Sequence, residues 1–299
     1  MIKAEHIIKH FDGFPALKGA SLHVSPGSIY GLVGPNGAGK STIIRHLAGI
    51  YKEDAGSILI AGEPVYENPS VKMRIAYIPD DIFYFPQANT LDMRNFYRGI
   101  YKNFDNTLFH KLAEYFPKID VKRNIRSLSK GMQKQVAFWL SISCQPDILI
   151  LDEPVDGLDP VMRKQIWSIL MKDVADRNTT VLVSSHNLRE LEDVCDHVGI
   201  MNEGVVILER SLEELQDNTI KVQVAFEGII PNLNSIPNVL HSSQNGRVLS
   251  LIIKGNQKEV TEQIKALNPL FIDMLPLTLE EIFIYELGGE NYGIKEILL

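Results

Sequence analysis

A glycine-rich segment between an apolar run and a helix-forming stretch limits the fold of this chain more than any other feature. Residues 34–41 fit the pattern G-x-x-x-x-G-K-[ST] in full, with the apolar run 28–33 before them and the helix-compatible residues 42–48 after them. In that setting glycines let the loop turn tightly, so its backbone N–H groups converge on phosphate oxygens beside the positive end of the helix. The segment therefore predicts a phosphate-binding loop.

The same chemistry assigns roles to single residues of this loop. The ammonium group of Lys40 is expected to reach the β and γ phosphates of a nucleoside triphosphate, and the hydroxyl of Ser41 to ligate magnesium. The predicted nucleotide-binding residues of the loop are Gly34, Pro35, Asn36, Gly37, Ala38, Gly39, Lys40, Ser41 and Thr42.

Two further apolar runs, 148–151 and 179–183, share the absence of alternation seen in 28–33. Strands of this kind are covered on both faces, as in a largely parallel sheet with helices between its strands. We therefore predict an α/β fold. Each run ends in polar residues, and ligands of such sheets collect at the carboxyl ends of the strands, so the three ends are expected to form one site.

The ends of the second and third runs supply the remaining catalytic residues. Asp152 is predicted to hold magnesium, directly or through water, because carboxylate oxygens suit a hard cation. Its neighbour Glu153 is predicted to act as the general base that polarises the attacking water. His186, at the end of the third run, could donate a hydrogen bond to the γ-phosphate or to that water.

A second helix start, in the segment 128–133, is also suited to an anion. Ser129 is predicted to cap a helical run over 134–143, which leaves backbone N–H groups free at the helix start. Because the phosphate loop already surrounds one triphosphate, this helix start is interpreted as serving a partner copy. An ordinary capped helix remains the alternative on spacing alone.

The chain divides into two predicted domains. Residues 1–218 form the nucleotide-binding domain, with a helical subdomain at about 88–145 whose aromatic residues are interpreted as packing. Residues 219–299 form a small α+β domain, with strands predicted at 220–226 and 248–253 and helices at 257–267 and 277–287. No chemistry is assigned to this second domain.

Composition and charge limit the partners and the cellular compartment expected for this chain. The net charge of −7, without a long basic run, argues against a nucleic-acid partner. The N-terminus lacks an apolar stretch of signal-peptide length, and nowhere do about 18 apolar residues run together as a membrane-spanning helix requires. Cys144 and Cys195 each lie among apolar residues and are expected to be core thiols in a reducing compartment.

Five features, read in chain order, resemble the ATP-binding subunit of ABC transporters over about residues 1–215. They are the phosphate loop, the Ser129 segment, the pair Asp152–Glu153, the segment Asp156–Pro160 and His186. The resemblance is strongest to the ATPases of ABC-2 type exporters, including the bacterial group associated with antibiotic-peptide resistance. It implies a P-loop NTPase fold of the ABC ATPase type, with ATP and Mg²⁺ as cofactors.

The resemblance also implies how the subunits assemble. Two ATP-binding subunits, identical or different, would sandwich two ATP molecules head to tail, with Asp159 linking the two sites and Phe11 stacking on adenine. In that arrangement Ser129 and Gly131 contact the γ-phosphate held by the other copy. The full segment predicted to act across the interface is Leu128, Ser129, Lys130, Gly131, Met132 and Gln133.

The chain departs from the family pattern at two places. Lys130 and Met132 stand where the family usually has Gly and Gln. Asp80 stands where the family commonly has a glutamine that senses magnesium and water, and its shorter side chain could ligate magnesium in place of that glutamine. Gln87 is the alternative occupant of this role.

The function implied is ATP hydrolysis that powers transport, with export favoured, through a separate membrane-spanning permease at the cytoplasmic face of the cell membrane. ATP binding would close two subunits and hydrolysis would reopen them. The alternative is an ABC ATPase without transport: a signalling or mechanical subunit of a membrane complex, or a soluble ATPase acting on nucleic acid or ribosomes. The short span between Lys40 and Ser129, about 88 residues without heptads, argues against the DNA-acting members of that class.

Overall fold

The computed structural model describes residues 1–217, 219–227, 238–275 and 277–282. The chain forms two compact units, one of residues 1–187 and 194–209, the other of residues 188–193 and those from 210 onward. The domain boundary after residue 218 stays a prediction. Within the described ranges, each helix is too short or too polar to cross a membrane.

The first unit contains two sheets and the helices around them. Its strands are β1 (Ile2–Phe11), β2 (Phe14–Val24), β3 (Ile29–Val33), β4 (Ala55–Ile60), β5 (Glu63–Pro64), β6 (Ile75–Ile78), β7 (Ile148–Asp152), β8 (Thr180–Ser185), β9 (His197–Asn202) and β10 (Val205–Ser211). Its helices are α1 (Lys40–Leu47), α2 (Pro69–Lys72), α3 (Thr90–Ile100), α4 (Asn106–Ala113), α5 (Lys130–Ser143) and α6 (Pro160–Arg177).

The larger sheet confirms the α/β prediction. Its strand order is β10-β9-β3-β8-β7-β6, and β3, β7 and β8, which correspond to the three apolar runs, are parallel neighbours. Every residue of these three strands is buried, as expected for strands covered on both faces. The carboxyl ends of β3, β7 and β8 consequently meet at one edge of the sheet.

The smaller sheet is antiparallel, in the order β2-β1-β4-β5. Apolar residues of β1 and β4 enter the same hydrophobic core as α1, whose Ile43, Ile44 and Leu47 are fully buried. Helix α1 follows the phosphate loop directly, so this packing holds the loop against the body of the unit.

In the helical subdomain, the spacing of apolar residues from about Leu91 to Phe116 predicts one helical stretch, whereas the structure has two helices there, α3 and α4, ahead of α5. Helix α3 ends at Ile100, and Asp105 then begins α4 by accepting hydrogen bonds from the N–H groups of Thr107 and Leu108. The aromatic residues of this region do not all pack inside. Phe96 is 44% exposed, whereas Phe109 is buried and stacks on Trp139 with ring centroids 4.5 Å apart.

The second unit contains a four-stranded antiparallel sheet, in the order β12-β13-β11-β14. Its elements are α7 (Leu212–Asp217), β11 (Thr219–Ala225), β12 (Val239–Asn245), β13 (Val248–Lys254), α8 (Gln257–Lys265), β14 (Phe271–Leu275) and α9 (Leu279–Ile282). The two predicted strands and the first predicted helix match β11, β13 and α8. Of the predicted helix 277–287, the part after residue 282 lies outside the described residues.

Candidate active site

A cavity of about 560 Å³ lies beside the phosphate loop and contains most of the predicted nucleotide-binding residues. Asp80 and Glu153 also line it, together with six residues that sequence reasoning missed, namely Phe14, Pro15, Ala16, Lys18, Glu203 and Gly204. The predicted loop residues that line it are Pro35, Asn36, Gly37, Gly39, Lys40, Ser41 and Thr42.

The loop conformation depends on its glycines. Gly39 has φ of 104°, in the left-handed region that side chains disfavour, and it directly precedes α1. At Gly34 a Cβ would collide with the carbonyl oxygen of Met201. The chain bends back so closely that Lys40 Nζ donates a hydrogen bond to the Gly34 carbonyl oxygen at 2.7 Å. This places the ammonium group inside the loop.

Glu153 joins the phosphate loop to the end of β8. Its Oε1 lies 3.4 Å from Lys40 Nζ, and its Oε2 lies 3.0 Å from His186 Nδ1. The Lys40 and Glu153 side chains are only 7% and 12% exposed, so their ion pair is little screened by water, whereas the His186 side chain is 46% exposed. Glu153 is therefore in direct contact with both of the other residues predicted to be catalytic. A carboxylate held between a cation and an imidazole can accept a proton from a water bound beside it.

Asp152 is buried, and its carboxylate accepts a hydrogen bond from a serine hydroxyl on the neighbouring strand β8. Ser184 Oγ donates to Asp152 Oδ1 at 2.6 Å and accepts the backbone N–H of Glu153 at 3.1 Å. Asp152 and Ser184 are paired across β7 and β8, which explains the contact. Ser184 is not among the predicted site residues, although a polar residue at the end of a buried strand is a usable signal for one.

Asp80 contacts a lysine that sequence reasoning also missed. Lys134 Nζ, on α5, lies 3.0 Å from Asp80 Oδ1 and donates to the backbone carbonyl oxygen of Glu153 at 2.7 Å. Gln87, the alternative to Asp80, is exposed and is not among the residues that line the cavity. Asp80 is thus the side chain of this pair that faces the predicted nucleotide site.

The Ser129 segment lies at a different cavity, of about 670 Å³. Ser129 caps α5 as predicted, accepting the Met132 N–H at 3.3 Å. Asp159 lines the same cavity and caps α6 through the N–H groups of Val161 and Met162. The segment residues at this cavity are Ser129, Lys130, Gly131 and Met132, whereas Leu128 is buried and accepts a hydrogen bond from the Gln133 side chain.

Phe11 is close in the chain to Phe14, which lines the nucleotide cavity, but Phe11 itself does not line it. Its ring contacts Tyr51 edge-on, with centroids 5.3 Å apart. The aromatic ring that lines the cavity is that of Phe14, which is 70% exposed. Stacking of Phe11 on adenine stays a prediction.

Comparison with known proteins gives a consistent family. The ABC transporter family matches residues 17–156. The ABC transporter ATP-binding protein YtrB of Bacillus subtilis (strain 168) is 32% identical over 97% of this chain and 99% of its own length. The Nod factor export ATP-binding protein I of Burkholderia pseudomallei (strain 1710b) is 34% identical over 70% of each chain.

Among solved structures, cbiO1 from Clostridium perfringens is 27% identical and superimposes with a TM-score of 0.58, covering 72% of this chain and 89% of that one. The nucleotide cavity, the contact of Glu153 with Lys40 and His186, and the extent of the match to YtrB lead to the same assignment. The chain belongs to the ATP-binding proteins of ABC transporters, which bind ATP and hydrolyse it to power transport.

Proposed function

We propose that this ATPase powers export through a separate membrane-spanning permease by closing on a second ATP-binding subunit when ATP is bound. One observation carries the proposal. The catalytic contact of Glu153 with Lys40 and His186 lies at one cavity, whereas Ser129 and Gly131 lie at another. A single copy therefore does not combine both phosphate-binding features at one nucleotide, and a second copy can supply the missing one.

The contacts support a division of labour in hydrolysis. Glu153 accepts a proton from the attacking water, and His186, 3.0 Å from its carboxylate, orients this group and hydrogen-bonds the γ-phosphate or the water. Lys40 offsets negative charge that develops on the phosphate oxygens. Gly34, Pro35, Asn36, Gly37, Ala38, Gly39 and Thr42 surround the phosphates with the remainder of the loop.

The donor set fits magnesium in part. Ser41 lines the cavity, and Asp152 offers a buried carboxylate whose orientation is set by Ser184. Hydroxyl and carboxylate oxygens are the donors that Mg²⁺ prefers. The ion, when bound, neutralises phosphate charge. Asp80 fits this set less well, because its Oδ1 is engaged by the ammonium group of Lys134.

Closure would join the two cavities across an interface. The exposed start of α5, from Ser129 onward, presents backbone N–H groups to the γ-phosphate bound by the other copy, and Asp159 lies in the same cavity as that helix start. A ligand shifts an equilibrium only by its differential affinity for the two states, and these γ-phosphate contacts exist only in the closed pair. ATP binding thus favours closure.

One relative supplies the reason for choosing export, and one solved structure supports the proposal of a multi-subunit complex. The Burkholderia relative is named for export of Nod factor, and cbiO1 is described as part of the ABC transporter complex cbiONQ. An ATP-binding subunit working in such a complex would act at the cytoplasmic face of the membrane. The permease and a second ATP-binding subunit are its proposed partners.

The change Glu153→Gln tests the proposed chemistry. An amide cannot accept the proton of the attacking water, so we expect ATP turnover to fall by about 100-fold or more while ATP binding is retained. The variant is expected to accumulate as an ATP-bound dimer, measured by size-exclusion chromatography with multi-angle light scattering. The change Glu63→Gln, at an exposed position of β5 that does not line the cavity, is the matched control and should leave turnover close to wild type. Undiminished hydrolysis in Glu153→Gln removes this residue from the general-base role.

A further inference from the structure

Lys134 is a nearly buried charge that the proposed chemistry has not used. It lies within α5, its side chain is 10% exposed, and its Nζ contacts the Glu153 carbonyl oxygen at 2.7 Å and Asp80 Oδ1 at 3.0 Å. A buried ammonium group is unfavourable unless it is paired and hydrogen-bonded, and these two contacts satisfy that requirement. The contacts with Asp80 and with the Glu153 carbonyl oxygen therefore fix the position of the Lys134 ammonium group.

Glu153 needs such support because its backbone conformation is unusual. Its φ is 49°, in the left-handed region, although it carries a side chain and is neither glycine nor asparagine. Residues keep such conformations only where the surrounding structure holds them. The N–H of Glu153 is bound by Ser184 Oγ, and its carbonyl oxygen is bound by Lys134 Nζ. Both peptide groups that flank its Cα are thus fixed.

We propose that Lys134 is a positioning residue for ATP hydrolysis. By holding the carbonyl group of Glu153, its ammonium group keeps this residue in the left-handed conformation that sets the carboxylate between Lys40 and His186. Asp80 acts in this arrangement as the counter-ion of Lys134. The inference rests on the proposed role of Glu153 as the general base.

Asp80 and the Glu153 carbonyl group contribute differently, and this difference can be measured. The Asp80 side chain is 57% exposed, so its ion pair with Lys134 is screened by water, whereas the hydrogen bond to the Glu153 carbonyl is shielded. Loss of Asp80 leaves the carbonyl contact in place. Loss of Lys134 removes both contacts and leaves the Glu153 carbonyl oxygen with only the longer hydrogen bond from the Asp156 N–H, at 3.4 Å.

The test compares Lys134→Met with Asp80→Asn in steady-state ATPase assays. We expect kcat of Lys134→Met to fall by about 10-fold or more with KM for ATP within about twofold of wild type, since only orientation of the general base is lost. Asp80→Asn is expected to lower kcat by about threefold or less. Lys134→Arg, which keeps a charged donor, is expected to regain a measurable part of the activity.

Two controls separate positioning from general damage. Lys172→Met removes an exposed lysine of α6, away from this contact, and should leave kcat unchanged. Melting temperature and binding of a fluorescent ATP analogue show whether Lys134→Met folds and binds nucleotide. If this variant does not fold, the same kcat comparison is made with Lys134→Gln.

Each outcome of these assays supports or contradicts the proposed role of Lys134. Wild-type kcat in the folded lysine variant, or a loss seen only in KM or melting temperature, overturns the role of Lys134 as a positioning residue. A fall in Asp80→Asn as large as that in Lys134→Met overturns the assignment of Asp80 as a counter-ion. Glu153→Gln is assayed in parallel: if it remains active, the general-base proposal fails, whereas an inactive Glu153→Gln beside a fully active Lys134→Met refutes only the present inference.

Discussion

Two phenylalanines near the start of the chain show how strongly a role depends on the surroundings of one residue. Phe11 resembles the family aromatic that stacks on adenine, but its ring is occupied by an edge-on contact with Tyr51. Phe14, which sequence reasoning passed over, has an exposed ring at the nucleotide cavity. A flat ring that is free of intramolecular partners can stack on a base at less cost, because no existing contact is broken.

At this scale we predict that Phe14→Ala weakens ATP binding more than Phe11→Ala. Loss of one stacking contact of about 1 kcal/mol corresponds to a roughly fivefold rise in the dissociation constant. Isothermal titration calorimetry with ATP measures this dissociation constant. Titration with inorganic triphosphate, which lacks the base, serves as the control. A larger loss in Phe11→Ala would instead assign the stacking role to Phe11.

At the scale of the element, the start of α5 combines an observed helix cap with the proposed contact to nucleotide. Ser129 caps the helix, and its exposed side also lines the cavity that it shares with Gly131 and Asp159. A Cβ at Gly131 would lie 3.1 Å from the Leu158 side chain and 3.5 Å from the Gly157 carbonyl oxygen, so a larger residue there requires the Leu158 side chain to shift. The open helix start is consistent with a ligand supplied from outside the subunit.

Ser129→Asp and Ser129→Ala separate the helix cap from the proposed contact to nucleotide. Aspartate caps helices about as well as serine, so Ser129→Asp is expected to melt like wild type, whereas Ser129→Ala should lose about 1 kcal/mol of stability. The new carboxylate would repel the γ-phosphate of a second subunit. In the Glu153→Gln background, Ser129→Asp should therefore abolish the ATP-dependent dimer seen by light scattering. A dimer that persists would show that the α5 start does not contact nucleotide.

At the scale of the whole molecule, we predict that an exposed aromatic cluster on the first unit is the surface that contacts the permease. Phe83, Phe85 and Phe96 are 72%, 43% and 44% exposed, and their rings form a chain of edge-on contacts at 6.3 and 4.9 Å. Neighbouring exposed aromatic side chains are typical of protein interfaces. Phe83 and Phe85 come shortly after Asp80, which lines the nucleotide cavity. A permease bound to the cluster would therefore contact the chain segment that follows this cavity residue.

We predict that the double change Phe83→Ala and Phe96→Ala uncouples the subunit from its permease. Intrinsic ATP binding should be unchanged, because neither residue lines the nucleotide cavity, while co-purification with the co-expressed membrane-spanning permease should fall by at least about tenfold. Phe271→Ala, at an exposed aromatic of the second unit, is the matched control. Retention of the complex by the double variant would exclude this cluster as the docking surface.

The sequence by itself determined the parts of this protein that depend on neighbouring residues. The glycine pattern before Lys40, the uninterrupted apolar runs and the cap at Ser129 are local, because backbone sterics and short hydrogen bonds act over a few positions. They predicted the parallel sheet, the phosphate loop and the start of α5. The rule that strand ends share one edge extended these local patterns to the meeting of Glu153 with His186.

Only the tertiary structure decided the contacts between distant residues. Lys134 and Asp80 are 54 positions apart, and Ser184 lies 31 positions from the Glu153 N–H that it accepts. The Phe14 ring lines the cavity, whereas the Phe11 ring packs against Tyr51, a residue distant from it in the chain. Such contacts follow from how whole elements pack against each other, and a lysine in the middle of a helical run carries no local mark of the carbonyl group that it binds.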